Sequence, residues 1–171
     1  MDEDTRTKAH QYVLTNCQAV EHYKEIIISQ EYPHLSDWHR DNVHNKQFPS
    51  WFENQLTLDG NLLCEDLKAL AQGPQKVYTS YKKFIVNGFR FHTKKSEATR
   101  KTQNSGVIVT AETRSFSSTR DNNPITGDIT YHGTLTDIIE LDYLFDKRVV
   151  LFKCDWVEQR GKKKRERLYA Y

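Results

Sequence analysis

The feature that most constrains this chain is a change of hydrophobic period at Pro74: apolar residues recur every three or four positions before it and every second position after it. A helical stripe cannot double as a pleated face, so the two stretches must form different classes of structure. From Thr7 to Gln30, Ala9, Tyr12, Val13, Cys17, Val20, Tyr23 and Ile27 trace one helical stripe. Glu31 to Lys46 breaks the period at Pro33 and crowds His34, Trp38, His39 and His44 among charges, which predicts a loop with one short turn. Phe48, Trp51, Phe52 and Leu56 predict a short helix with Pro49 near its start, where a missing N–H is harmless. Leu62, Leu63, Leu67 and Leu70 predict another helical face between a capping Asp59-Gly60-Asn61 and a terminating Gly73-Pro74.

Downstream of Pro74 the residues turn to Val, Ile, Tyr, Phe and Thr, which suit strands. Asn87-Gly88, between Tyr81 to Val86 and Phe89 to His92, fits the positive φ angles of a type I′ hairpin turn. Lys94 to Ser105 reads as a polar connection, Val107 to Ala111 as a strand and Ser115 to Asn123 as a second polar loop. Ile129 and Tyr131 alternate before Gly133. Leu135, Ile139, Leu141 and Tyr143 mark one face of a longer strand, and Val150, Phe152, Cys154 and Trp156 one face of the next, joined around Phe145 to Lys147. Arg160 to Tyr171 has no period and is expected to be loose. The expectation is an α+β chain: a helical connector region over 1–75, a small antiparallel β-barrel or curled β-sheet over 76–157, and a basic flexible tail over 158–171.

Leu, Ile, Val and Phe make up 40 of the 171 residues, just above the roughly 20% below which chains tend to stay disordered. The core is therefore feasible but lean. The longest apolar run, Val149 to Phe152, is far short of the ~18 residues of a membrane helix, and the acidic start, Met1-Asp2-Glu3-Asp4, does not resemble a basic secretory leader. Three widely spaced cysteines, Cys17, Cys64 and Cys154, fit a reducing intracellular setting. The net charge of +2 conceals a division: residues 1–75 carry 6 basic and 12 acidic side chains, residues 76–171 carry 19 and 11. The basic half is where a polyanion would bind.

Within it, Lys82, Lys83, Arg90, Lys94, Lys95, Arg100 and Lys101 face only one acid, Glu97, and interleave with Tyr78, Tyr81, Phe84, Phe89 and Phe91. Cations beside aromatics can neutralise phosphates and stack on bases, which makes these cations candidate nucleic-acid contacts. Lys162, Lys163, Lys164 and Arg165, in the run from Arg160 to Arg167, are a second candidate contact or a nuclear-import address. Tyr131, Tyr143, Phe152 and Trp156, near Asp137, Glu140 and Asp142, could frame a methyl-lysine cage, although core packing explains Phe152 and Trp156 better. The five-residue intervals linking His34, His39 and His44, and Cys17 with His22, do not suit zinc ligation. No GxSxG, P-loop, HExxH or GxGxxG motif is present, so neither an enzyme nor a cofactor is expected. A hydrolase would need His92 or His132 to meet a carboxylate in a pocket.

Four strings carry a resemblance: Asn87-Gly88-Phe89-Arg90-Phe91-His92-Thr93, Thr102-Gln103-Asn104-Ser105-Gly106-Val107, Ile138-Ile139-Glu140-Leu141-Asp142-Tyr143, and Val149-Val150-Leu151-Phe152-Lys153-Cys154-Asp155-Trp156-Val157. They resemble a plant family of unknown function encoded in CACTA-type (En/Spm-like) transposons, beside or fused with the transposase. Ala9-His10-Gln11-Tyr12-Val13-Leu14-Thr15-Asn16 and His44-Asn45-Lys46-Gln47-Phe48-Pro49-Ser50-Trp51-Phe52 are similar to the helical connector preceding that domain. The likeness spans residues 8–157 and departs after Val157, where the family continues into further strand-forming sequence; here a basic run follows, so the sheet is expected to be truncated at its C-terminus. The resemblance implies a non-catalytic accessory protein that binds DNA, chromatin or the element's transposase, and it brings no catalytic residues. The alternative is a protein-docking module for the transposase with no nucleic-acid binding of its own.

Overall fold

A computed structural model describes residues 2–34, 39, 46–59, 64–115, 125–157 and 164–170, with side chains omitted at 56–59, 113–115 and 164–170. The chain divides into two compact units, one of residues 1–76, 114–126 and 142–147, the other of residues 77–113, 127–141 and 148–171.

The first unit is helical. Helix α1, Glu3–Asn16, starts earlier than its apolar stripe because Asp2 caps it, accepting from the Thr5 N–H at 2.7 Å. The single helix expected from Thr7 to Gln30 is two: α1 ends at Asn16, extended Cys17 and a 3₁₀ turn at Gln18–Val20 follow, and α2 runs Glu21–Glu31. The break fits local chemistry. Thr15 and Asn16 turn their side chains back onto the Gln11 and Tyr12 carbonyls, and buried Lys24 donates to the Thr15 carbonyl at 2.8 Å, meeting one of the orphan acceptors of a helix end. Helix α3, Phe48–Asp59, stacks Phe48 on Phe52 with ring centroids 5.3 Å apart, while α4, Glu65–Gln72, ends at Gly73, whose φ of +77° suits glycine. Leu14, Val20, Ile27, Phe48, Phe52 and Ala71 form the core, against which Cys17 packs. Most of the expected loop after Pro33, including Trp38 and His44, and also Leu62 and Leu63, lie outside the described residues.

The connection 142–147 is part of this unit. The Gln75 N–H donates to the Asp142 carbonyl at 2.7 Å, Lys147 pairs with Asp66 at 2.8 Å, and His10 Nδ1 lies 3.2 Å from the Tyr143 hydroxyl. Burial, aided by the Arg6 charge, pushes the His10 imidazole down to about 4.

The second unit is mainly β-sheet. Strands β1, Tyr78–Tyr81, β4, Gly106–Ser115, β5, Ile125–Asp142, β6, Arg148–Val157, and β7, Lys164–Ala170, form a five-stranded sheet in the order β1-β5-β6-β7, with β4 also paired to β5. Strands β2, Lys83–Val86, and β3, Phe89–His92, form a separate two-stranded antiparallel ribbon. Among the described residues no pairing closes a barrel. The polar loop expected from Ser115 to Asn123 lies almost entirely outside the described residues. Within the tail expected to be loose, the described residues Lys164–Ala170 are instead β7, antiparallel to β6 with Lys164 opposite Val157 and Ala170 opposite Leu151. Its charge-rich sequence hides a strand from period counting, yet charges suit an edge strand.

The ribbon covers one face of the sheet, where Phe84 and Phe91 set their rings 6.2 and 5.2 Å from that of Phe152. Leu135, Ile138, Cys154 and Trp156 complete this core. Leu135 and Ile138 share a face although they are three residues apart, so the alternation slips by one between them, as at a β-bulge. Leu135 therefore does not share a face with Ile139 and Leu141 as the period implied. Trp156 lies over Gly133: a Cβ there would come within 2.7 Å of its ring.

Two outcomes test this packing. Gly133→Ala is expected to lose about 1–3 kcal/mol in urea unfolding, as overpacked cores do; an unchanged midpoint would place the indole elsewhere. Because His10 is held neutral in the fold, the unfolded chain binds the extra proton between pH 6.5 and about 4. Its stabilisation is present above pH 6.5 and lost as the pH falls through that window. Urea midpoints at pH 7 and pH 5 (about the middle of the window) should differ less in His10→Asn than in the wild type.

Candidate nucleic-acid interface

The candidate interface is built on the β2–β3 ribbon. Asn87 (φ +49°) and Gly88 (φ +81°) supply the two left-handed residues of its turn, which sets Ile85 opposite Arg90 and Lys83 opposite His92. These four belong to the side away from Phe84 and Phe91. On that side His92 is covered by the connection that follows, which opens with one short helix, α5, Lys94–Glu97.

Glu97 organises this connection. It is 4% exposed, and one carboxylate oxygen accepts from the Asn104 N–H and lies 3.2 Å from His92 Nδ1. Arg100 donates to His92 Nε2 at 3.4 Å, so that nitrogen carries the lone pair and the ring proton sits on Nδ1, facing Glu97. Burial alone would push the Glu97 carboxyl up, but the Asn104 N–H, the Ser105 hydroxyl and His92 together hold it below the usual carboxylate range. The acid thus remains charged inside the protein.

This leaves a one-signed surface on the stretch 82–101. Lys82, Lys83, Arg90, Lys94, Lys95, Arg100 and Lys101 are all exposed, whereas the only carboxylate among them is buried. Beside them a groove of about 460 Å³ is lined by Ser80, Lys82, Thr93, Lys95, Ser96 and Asp137. The Thr93 N–H donates to the Lys82 carbonyl at 3.0 Å, and the Ser96 hydroxyl to the same carbonyl at 3.1 Å, which ties α5 to the ribbon.

Other sequence-derived candidates are not brought together. Lys162 and Lys163 lie outside the described residues, and Lys164 and Arg165 occupy β7 positions opposite Val157 and Trp156 rather than a tail. Phe84 and Phe91 are half-buried against the core, as is Tyr81, which also lines the groove; Phe89, at the ribbon's tip, is 68% exposed. Tyr143, Phe152 and Trp156 are each buried, so they frame no open cage. By contrast, His92 does meet a carboxylate, Glu97, at 3.2 Å, as the hydrolase reading asked, but the pair is buried and does not line the groove; His132 is exposed. Among the described residues no three His, Cys, Asp or Glu side chains converge on a metal position, and no helix is long and apolar enough to cross a membrane. Burial pushes the Cys154 thiol up to about 12, which keeps it protonated and unreactive.

Sequence reasoning missed Glu97 as an anchor and Asp137 as a lining group. A lone acid amid seven cations was the available signal for Glu97; no periodicity marks Asp137. Comparison with models of known families, with curated proteins and with solved structures gave no match.

Glu97→Gln keeps the side chain's shape but weakens its hydrogen bonds, and is expected to cost about 1–3 kcal/mol and expose the Asn104 amide to exchange. Acid should do the same: with its folded carboxyl depressed, Glu97 stabilises above pH 4.5, and this is lost as the pH falls through the folded value. Amide exchange at Asn104 unchanged by either treatment would show that Glu97 is not the anchor.

Proposed function

We propose that this chain is a non-catalytic accessory module of a CACTA-type transposon protein, acting in the nucleus, whose β unit holds DNA or chromatin through the basic ribbon and connection. The observation that carries the reading is the burial of Glu97 beneath seven exposed cations. Phosphates meeting such a surface release condensed counterions and encounter no nearby carboxylate on this stretch. The resemblance of residues 87–93, 102–107, 138–143 and 149–157 to the transposon-encoded family supports the setting.

A second reading, docking onto the element's transposase, is favoured by Ile85 and Phe89, which are 60% and 68% exposed among the ribbon's cations. Hydrophobic side chains ringed by charge are typical of protein contacts.

Salt separates the two. If Lys82, Lys83, Arg90, Lys94 and Lys101 meet phosphates, log affinity for duplex DNA by fluorescence anisotropy should fall with log salt at a slope of about −4.5, from ~0.9 per contact. Replacing Lys94 and Lys101 by Gln should reduce that slope by about 2. Absence of binding at low salt, or a slope near zero, would refute the nucleic-acid reading. Capture of a transposase fragment that survives nuclease and high salt would favour docking.

A further inference from the structure

The groove beside the ribbon has a lining more specific than a basic surface requires. Its hydroxyl protons are committed inward: Ser96 donates to the Lys82 and Thr93 carbonyls, and Ser80 donates to Asp137 Oδ1 at 2.8 Å. Strong donors for a ligand therefore come from the ammonium groups of Lys82 and Lys95, which also line the groove. Asp137 supplies the opposite chemistry. Its Oδ1 accepts from Ser80 and from the Ile138 N–H at 2.9 Å, at the point where β5 slips register. Both bonds fall on Oδ1, so Oδ2 is the oxygen available to a ligand, on a carboxylate already oriented by the fold.

Two cations and one oriented acceptor call for a ligand that carries an anion and, within the same residue-sized volume, an N–H donor. The volume, about 460 Å³, lies within the common range for small-molecule sites. We propose that this groove holds one unpaired nucleotide of the bound strand, with its phosphate at Lys82 and Lys95 and the exocyclic amine of its base donating to Asp137 Oδ2. Cytosine presents its N4 amine to a carboxylate, whereas thymine carries the O4 acceptor there and its only ring N–H lies between two carbonyls. The groove therefore selects cytosine over thymine. This inference rests on the nucleic-acid reading and adds base selection to it.

The test compares dodecamers dC12 and dT12, both single-stranded pyrimidines of equal charge, by anisotropy with the full chain at one fixed low salt. Wild type is expected to bind dC12 about tenfold more tightly than dT12, the worth of one charge-assisted hydrogen bond. In Asp137→Asn the amide oxygen replaces Oδ1 toward Ser80 and Ile138, and the amide nitrogen takes the place of Oδ2; the preference should fall to about twofold or less while dT12 affinity is retained. Lys95→Gln, at an exposed position, should weaken both oligomers alike and keep the preference, which provides a readout should Asp137→Asn not fold. Equal binding of dC12 and dT12 by the wild type would overturn base selection and leave phosphate binding standing. Loss of the preference in Lys95→Gln would also overturn it. Failure of both dodecamers and of duplex DNA to bind at low salt would overturn the nucleic-acid reading itself.

Discussion

A carboxylate buried among hydrogen-bond donors is the interaction on which the basic face depends. An ionised acid removed from water is strongly unfavourable unless it is hydrogen-bonded; the Asn104 N–H and the His92 ring meet Glu97 Oε1 and the Ser105 hydroxyl helps to hold its charge, while Oε2 is buried without a hydrogen-bond partner among the described residues. Helix α5 has only four residues, Lys94–Glu97, too short to be stable by itself. Its place is set by Glu97 at one end and by the Thr93 and Ser96 bonds to the Lys82 carbonyl at the other. Lys94, Lys95, Arg100 and Lys101 all lie on or beside this element, so the same acid that orders them is removed from the surface they create.

The sheet beneath contributes a rigid floor and a local irregularity. Phe152 receives the rings of Phe84 and Phe91 and so fastens the ribbon to the sheet, while Trp156 occupies the space that Gly133 leaves. Between Leu135 and Ile138 the strand gains a residue relative to strict alternation, and Asp137 sits within that slip. Register slips of this kind re-aim a side chain without interrupting the strand for long. Asp137 consequently lines the groove with one oxygen already engaged. Fold and site are thus linked through two carboxylates, one buried to make the surface positive and one held at the groove.

Much of the fold was legible in the sequence wherever a local rule dominated. The change of period at Pro74 separated helices from strands, Asn87-Gly88 marked its hairpin, and the exposed cations could be read as cations without partners in the local sequence. The remainder depended on contacts distant in sequence. The break at Cys17 is invisible in the apolar stripe, because Cys17 and Val20 keep the spacing while buried Lys24 serves the Thr15 carbonyl. The slip in β5 follows from packing on both Leu135 and Ile138, which no period predicts. Strand β7 has too few apolar residues to alternate visibly, and its pairing with β6 resides in the backbone. Aromatic residues were the least legible: Phe84, Phe89 and Phe91 look alike in a basic stretch, yet only Phe89 is solvent-facing.

The buried Glu97 arrangement fixes which nitrogen of His92 carries its proton, and ¹⁵N NMR of the histidine rings at neutral pH reads this directly. The predicted spectrum shows His92 protonated on Nδ1, with Nε2 bare and accepting from Arg100. A ring protonated on Nε2, or one whose two nitrogen signals average as in free histidine, would contradict the burial of Glu97 against His92 and, with it, the basis for a surface free of carboxylates on the stretch 82–101.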